Sequence, residues 1–243
     1  MGIAAQRPLP AARQIAYLPR FRLCVSRELP VISLRPFAFA ATLALGLVAC
    51  AEQGADAPAG AATEPAALTE GNWTLDPAGS RLSYVSIKSG EVAEANRFDA
   101  MTGTVATDGT ASLDIDLGSV NTGVDIRNER MREMFFDVAN NPTATVTAKL
   151  DPAAFVGLAV GQSIIRPLKA TVGIKGMTSD VETEVIVTRA SADRVTVVPT
   201  APVIISTDMF GLTDELGELR ALAELPSITP AVPVTFTLSF SRS

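Results

Sequence analysis

Cys50 is one of only two cysteines in the chain, and its setting points to one specific chemistry. The thirteen residues before it, Phe37 to Ala49, read FAFAATLALGLVA without a charge, behind Arg27 and Arg35. A spanning helix needs roughly 20 apolar residues, so this run is short for a bilayer. It fits the apolar region of an export signal, with the arginines as its positive flank. Leu47-Val48-Ala49-Cys50 then has the form of a bacterial lipobox. An aliphatic residue stands at −3, small residues let the peptidase reach the backbone, and the thiol is the nucleophile that receives diacylglycerol. No amphipathic period or helix cap accompanies the run, which argues against a buried helix with an incidental cysteine. Cys50 is the expected site of lipid attachment, and residues 1–49 the expected signal peptide.

Other reactive chemistry is sparse. The chain has no histidine, which removes Ser-His-Asp and Cys-His nucleophiles and imidazole metal sites. Cys24 and Cys50 both precede residue 71, so the remainder can hold no disulfide. Asp114 and Asp116 alternate along one strand and read as a solvated face, not a metal pair. The cluster Asp125, Arg127, Glu129, Arg130, Arg132 and Glu133 suits ion pairs or a helix cap better than acid–base work. Nothing assembles a nucleophile, a base and an oxyanion site, so neither catalysis nor a cofactor is expected.

Charge divides along the chain. Six arginines and only Glu28 precede Cys50, leaving 14 basic against 25 acidic residues of the chain's 20 and 26. Phosphate-backbone binding needs clustered Lys and Arg, so nucleic acid is excluded as a partner.

Some 36 residues precede the apolar run, more than a signal peptide carries, which suggests a true start near Val25 or Val31. After Cys50, residues 51–70 read AEQGADAPAGAATEPAALTE. With Pro58, Gly60 and Pro65 and no aromatic residue, the segment cannot bury enough apolar surface to offset chain entropy. It is expected to be a tether, spanning on the order of 25 Å as coil. Ala51 follows the lipidated cysteine where an aspartate would retain the protein in the inner membrane. The expected location is the outer membrane, facing the periplasm.

From Gly71 the texture becomes period-two alternation, the mark of an antiparallel β domain. Arg81 to Lys88 is one strand. Arg97 to Thr107 and Thr110 to Asp116 flank Asp108-Gly109, read as a two-residue hairpin turn. Leu113, Ile115 and Leu117 alternate with Ser112, Asp114 and Asp116, giving one buried and one wet face. Thr143 to Leu150, Ile164 to Ile174, Val181 to Arg189, Arg194 to Ile205 and Val232 to Phe240 continue the pattern. Roughly eight strands are enough to close a barrel and remove exposed edges. Asp125 to Ala139 and Asp214 to Leu225 break the alternation and read as helices. The first carries Met131, Met134, Phe135 and Val138, the second Leu216, Leu219 and Leu222.

Five blocks in order resemble the YceI-like family of exported, lipocalin-like polyisoprenoid-binding proteins. They are Trp73-Thr74-Leu75-Asp76 with Ser80; Phe98 to Gly103; and Thr122-Gly123, Arg127, Met131-Arg132, Phe135-Phe136-Asp137-Val138 and Pro142-Thr143. Ile174-Lys175-Gly176-Met177-Thr178 and Asp208-Met209-Phe210-Gly211-Leu212 complete the set. The similarity covers Trp73 to Phe240. Asn128, Arg130 and Thr207 stand where the family has aspartate, histidine and arginine, and residues 214–225 replace a shorter link.

The resemblance implies an all-β, antiparallel eight-stranded lipocalin-like barrel with one or two short helices, whose interior holds a quinone tail or polyprenol. An eight-stranded barrel is wide enough either to fill with side chains or to enclose one slim ligand. Phe98, Met101, Val105, Val146, Leu168, Val172, Val185 and Phe236 would line the tunnel or pack a core. Phe135, Phe136 and Phe210 are expected at its mouth. The competing reading is a tethered interaction protein with a solid barrel. Expected partners are an isoprenoid lipid and the membrane, with a homodimer left open.

Overall fold

The computed structural model describes residue 68 and residues 70–243. The apolar run, Cys50 and residues 51–67 lie outside the described residues. Leu68, placed by sequence in the tether, already packs against the domain. Its carbonyl accepts a hydrogen bond from Trp73 Nε1 at 3.1 Å.

Twelve strand segments make eight barrel staves. The first stave is β1 (Trp73–Leu75) with β2 (Arg81–Lys88), and the second is β3 (Val92–Phe98) with β4 (Met101–Val105). The third is β5 (Thr110–Asp116) with β6 (Val120–Asn121). Then come β7 (Thr143–Lys149), β8 (Ser163–Ile174) and β9 (Met177–Ser191). The seventh is β10 (Arg194–Pro199) with β11 (Val203–Ser206), and the last is β12 (Ala231–Arg242). Every stave pairs antiparallel with the next in sequence, and β12 closes the ring on β1 and β2. The expected eight-stranded barrel is present.

The split staves are bends, and their residues explain them. Between β1 and β2, Ser80 Oγ donates to the Asp76 carbonyl (2.7 Å) and accepts the Ser239 amide (3.0 Å), tying the bend to β12. Between β5 and β6, Asp116 Oδ1 accepts the Gly118 amide (2.8 Å), and Ser119 Oγ accepts the Ala100 amide at the β3–β4 bend (3.0 Å). Pro199 and Pro202 flank the break in the seventh stave, where a ladder donor is missing.

The hairpin at Asp108-Gly109 is longer than expected. β4 stops at Val105, not Thr107, and Ala106 to Gly109 form a four-residue turn closed by Gly109 N to Ala106 O at 2.9 Å. Gly109 follows with φ +84°, the left-handed residue of a bulged hairpin. A Cβ there would stand 2.2 Å from the Leu150 carbonyl oxygen. Gly103 is required for a different reason: a Cβ would meet the Ser112 carbonyl oxygen at 2.8 Å.

The first helix is also shorter than expected. α1 spans Asp125–Arg130 and continues as a π-helical turn, Met131–Phe135. Asp137 has φ +48° and collects Asn140 and Asn141, which ends the helix before Ala139. α2 spans Thr213–Leu222. Leu216 and Leu219 pack on the core, but Leu222 is 46% exposed. Each three-residue step falls about 60° short of a full turn, so Leu222 has rotated off the stripe.

Both helices sit at one barrel end, with the β2–β3 and β8–β9 turns. The β8–β9 turn is held to α2 by Lys175 Nζ on Glu215 Oε1 at 2.6 Å. The other end carries the turn at 106–109, the β7–β8 loop, the β9–β10 turn and Leu68.

Candidate functional site: a tunnel through the barrel

The inward side chains of the staves do not meet in the middle. They enclose a cavity of about 870 Å³ whose lining runs from Thr107, Gly109, Pro152 and Phe155 at one end to Lys88, Arg127 and Leu222 at the other. Strand periodicity builds it directly. Ala144, Val146, Ala148 and Leu150 of the β7 run line one side; Val232, Val234, Phe236, Leu238 and Phe240 of β12 line another.

The wall changes character along β2 and β3. The inward set of β2 reads Leu82, Tyr84, Ser86, Lys88, and that of β3, read backwards, Phe98, Asn96, Glu94; all line the cavity. The tunnel therefore becomes polar as it approaches α1. Glu94 lies at this end between two cations, with Lys88 Nζ 2.7 Å and Arg127 Nη1 2.6 Å from Oε2. The Lys88 hydrogen bond and the Arg127 charge hold the Glu94 carboxyl below its usual range, against the opposing effect of burial. Burial pushes the Tyr84 phenol well up, so it stays neutral. Asn96 Nδ2 donates to Ser86 Oγ and to the Glu94 carbonyl, both at 3.1 Å. Asn96 Oδ1 and Thr207 Oγ1 are buried with no hydrogen-bond partner among the described residues. A series of ring contacts joins this wall to the π-helical turn: Tyr84 to Phe98 at 5.6 Å, Phe98 to Phe136 at 5.9 Å and Phe136 to Phe135 at 5.0 Å.

Of the residues expected at the site, Phe98, Val105, Phe135, Phe136, Val146, Leu168, Val172, Val185, Phe210 and Phe236 line the cavity. Met101 does not. It is buried in the main cluster next to the β3–β4 bend, so its inward position feeds packing and not the wall. Phe210, expected at the mouth, is only 2% exposed and belongs to the core. Cys50 lies outside the described residues.

Sequence reasoning passed over Trp73, Tyr84 and Asn96. The signal was available for the last two: counting back in twos from Phe98 reaches Asn96 and Glu94, and Tyr84 is Asn96's cross-strand partner. Of the three departures from the family pattern, Asn128 keeps a contact, because its Oδ1 accepts both the amide and the hydroxyl of Thr122 at 2.7 Å. Arg130 lines the rim and Thr207 the wall.

A closed antiparallel barrel with an apolar tunnel and one polar end defines a class, the β-barrels whose interior has room for one slim ligand. Within that class the chain belongs to the YceI-like domain family, whose model matches residues 73–240. A solved polyisoprenoid binding domain from Saccharophagus degradans is 40% identical with a TM-score of 0.69, covering 72% of this chain and 100% of that one. BcnA of Burkholderia cenocepacia is 21% identical with a TM-score of 0.53, covering 68% of this chain and 98% of that one; this likeness speaks to fold alone. No curated protein matches the chain.

Proposed function

We propose that this protein is an envelope lipoprotein that binds a long isoprenoid lipid, of quinone or polyprenol type, in its barrel. The observation that carries the reading is the apolar cavity of about 870 Å³ along the barrel. Aliphatic walls make an apolar chain a better filling than water. The Saccharophagus degradans domain, described as polyisoprenoid binding, supports the same ligand class.

The polarity gradient gives the ligand a direction. The headgroup lies under α1, near Tyr84, Asn96 and Arg127, and the tail runs past Phe98, Val146 and Val172 towards Phe155. The solid-barrel alternative fits poorly with a cavity this large. The role is binding, not catalysis. Attachment through Cys50, with Ala51 directing the protein to the outer membrane, would hold the barrel beside the source of such lipids.

Trp73, the chain's one tryptophan, lines the cavity and reports on it. Titration with a short-chain prenylated benzoquinone should quench its fluorescence saturably. A response no different from that of free tryptophan would count against the binding reading.

A further inference from the structure

The loop between β7 and β8, together with the first three residues of β8, carries no charge from Pro152 to Ile165 and reads PAAFVGLAVGQSII. It projects its aliphatics outward: Val156 is 68% exposed, Ile165 55% and Val160 46%. The loop is nonetheless firmly built. Arg189 Nη1 donates to the Leu158 carbonyl at 3.1 Å, and Arg166 Nη2 to the Ala154 carbonyl at 2.9 Å. Gly161 N donates to the Arg189 carbonyl at 2.7 Å, and Asp151 Oδ1 accepts the Ala153 amide at 3.0 Å. Leu158 is turned inward into a cluster with Val185 and Val187, and Phe155 packs against it. The exposed valines are thus held outward by a fixed scaffold. Apolar side chains scattered singly over a surface are ordinary, but an uncharged loop presenting several marks a contact surface.

Two further observations identify the occupant. Pro152 and Phe155 also line the cavity, so the loop borders the tunnel's end. Leu68, the first described residue, packs against the same cluster as Phe155, so the domain's N-terminal end lies at this loop. Three ion pairs stand at this end, Asp108 with Lys149 at 2.8 Å, Asp76 with Arg194 at 3.2 Å, and Asp193 with Arg242 at 3.6 Å, while Arg166 and Arg189 are engaged by loop carbonyls. Insertion of aliphatics, and not attraction to anionic headgroups, is the available driving force.

The geometry points to the 152–165 loop as a membrane-docking surface, which seats the tunnel's end on a lipid bilayer so that cargo passes into the barrel without crossing water. This rests on the lipid-binding reading. It also fits the gradient: a lipid enters headgroup first, its polar end travels to Arg127, and its tail trails towards the bilayer.

The test uses residues 68–243. The matched Saccharophagus degradans structure consists of this domain alone, the barrel closes on itself, and the segment contains no cysteine. An environment-sensitive fluorophore is attached at Val156→Cys, or at Ile126→Cys on the helix end, and phosphatidylcholine vesicles are added. The probe at 156 should shift to the blue and be quenched by nitroxide-labelled acyl chains, and the probe at 126 should not. No shift at 156, or an equal shift at 126, overturns the proposal. In a second arm, Val156→Asp with Val160→Asp should leave quinone quenching of Trp73 in solution unchanged. Transfer of the quinone from vesicles should slow at least about tenfold, the minimum expected when two valines no longer enter the bilayer. Unchanged transfer overturns docking. Absence of quenching in the wild type refutes the binding reading instead, while the fluorophore still decides docking.

Discussion

Arg127 of α1 reaches back 33 positions in sequence to Glu94 of β3, Nη1 to Oε2 at 2.6 Å, and pins the first helix over the polar end of the tunnel. Lys88 shares the same carboxylate oxygen at 2.7 Å. One acid is therefore shared by two cations where an amphiphile's headgroup would lie, and the trio keeps a net positive charge.

The clasp has a definite pH dependence. The Glu94 carboxyl is lowered in the folded protein, most by the Lys88 hydrogen bond, so its contribution is present above the unfolded value and lost as pH falls through the folded one. Glu94→Gln should lower stability by about 1 kcal/mol at neutral pH, because the pair is only half-buried. The gap between variant and wild type should narrow as pH drops below about 4. Thermal melts across pH check this; a gap that widens on acidification would contradict it.

Filling the tunnel separates the hollow from the solid barrel. Val172 lines the cavity opposite its β7 partner Val146. Val172→Trp should weaken quinone binding at least about tenfold while the melting temperature holds, because a void takes up the larger side chain. In a filled barrel the same change would overpack the core and cost ~1–3 kcal/mol. Calorimetry and Trp73-independent binding by equilibrium dialysis distinguish the two.

Arg189 is 5% exposed and donates to the carbonyls of Leu158, Ser191 and Ala192. Arg189→Met keeps much of the volume but leaves those acceptors without their charged donor. The expected loss is about 3 kcal/mol, with faster hydrogen exchange concentrated in residues 156–162. Uniform exchange would mean the arginine does not hold the loop.

The proposed attachment through the thiol of Cys50 makes a separate prediction. Cys50→Ala should leave the protein soluble or unprocessed after cell fractionation. Unchanged retention in the membrane fraction would refute the lipid anchor.

The strands were legible because antiparallel staves with one buried face alternate strictly, as in Leu113, Asp114, Ile115, Asp116. Their bends were not, since Asp116, Ser119 and Ser80 act through backbone contacts with residues distant in sequence. The helix ends moved for a similar reason: nothing local in Met131 to Phe135 announces a π-helical turn. For the site, period two named the inward strand residues and the motif segments supplied Phe135, Phe136 and Phe210; ten of the eleven line the cavity. The same period cannot say whether inward means core or tunnel, and for Met101 the structure gives core. Nor did it show that Tyr84, Asn96 and Glu94 together make one end polar. The apolar loop at 152–165 was hidden by its composition, which reads as buried chain.

The central claim is that the barrel carries an isoprenoid. The most direct measurement is mass spectrometry of lipids extracted from residues 68–243, exported behind a cleavable signal peptide and purified from the periplasm without detergent. A stoichiometric prenyl lipid, displaced by an excess of the short-chain quinone and missing from Val172→Trp, is the predicted result. Lipid-free protein that also fails to bind the quinone would contradict the account.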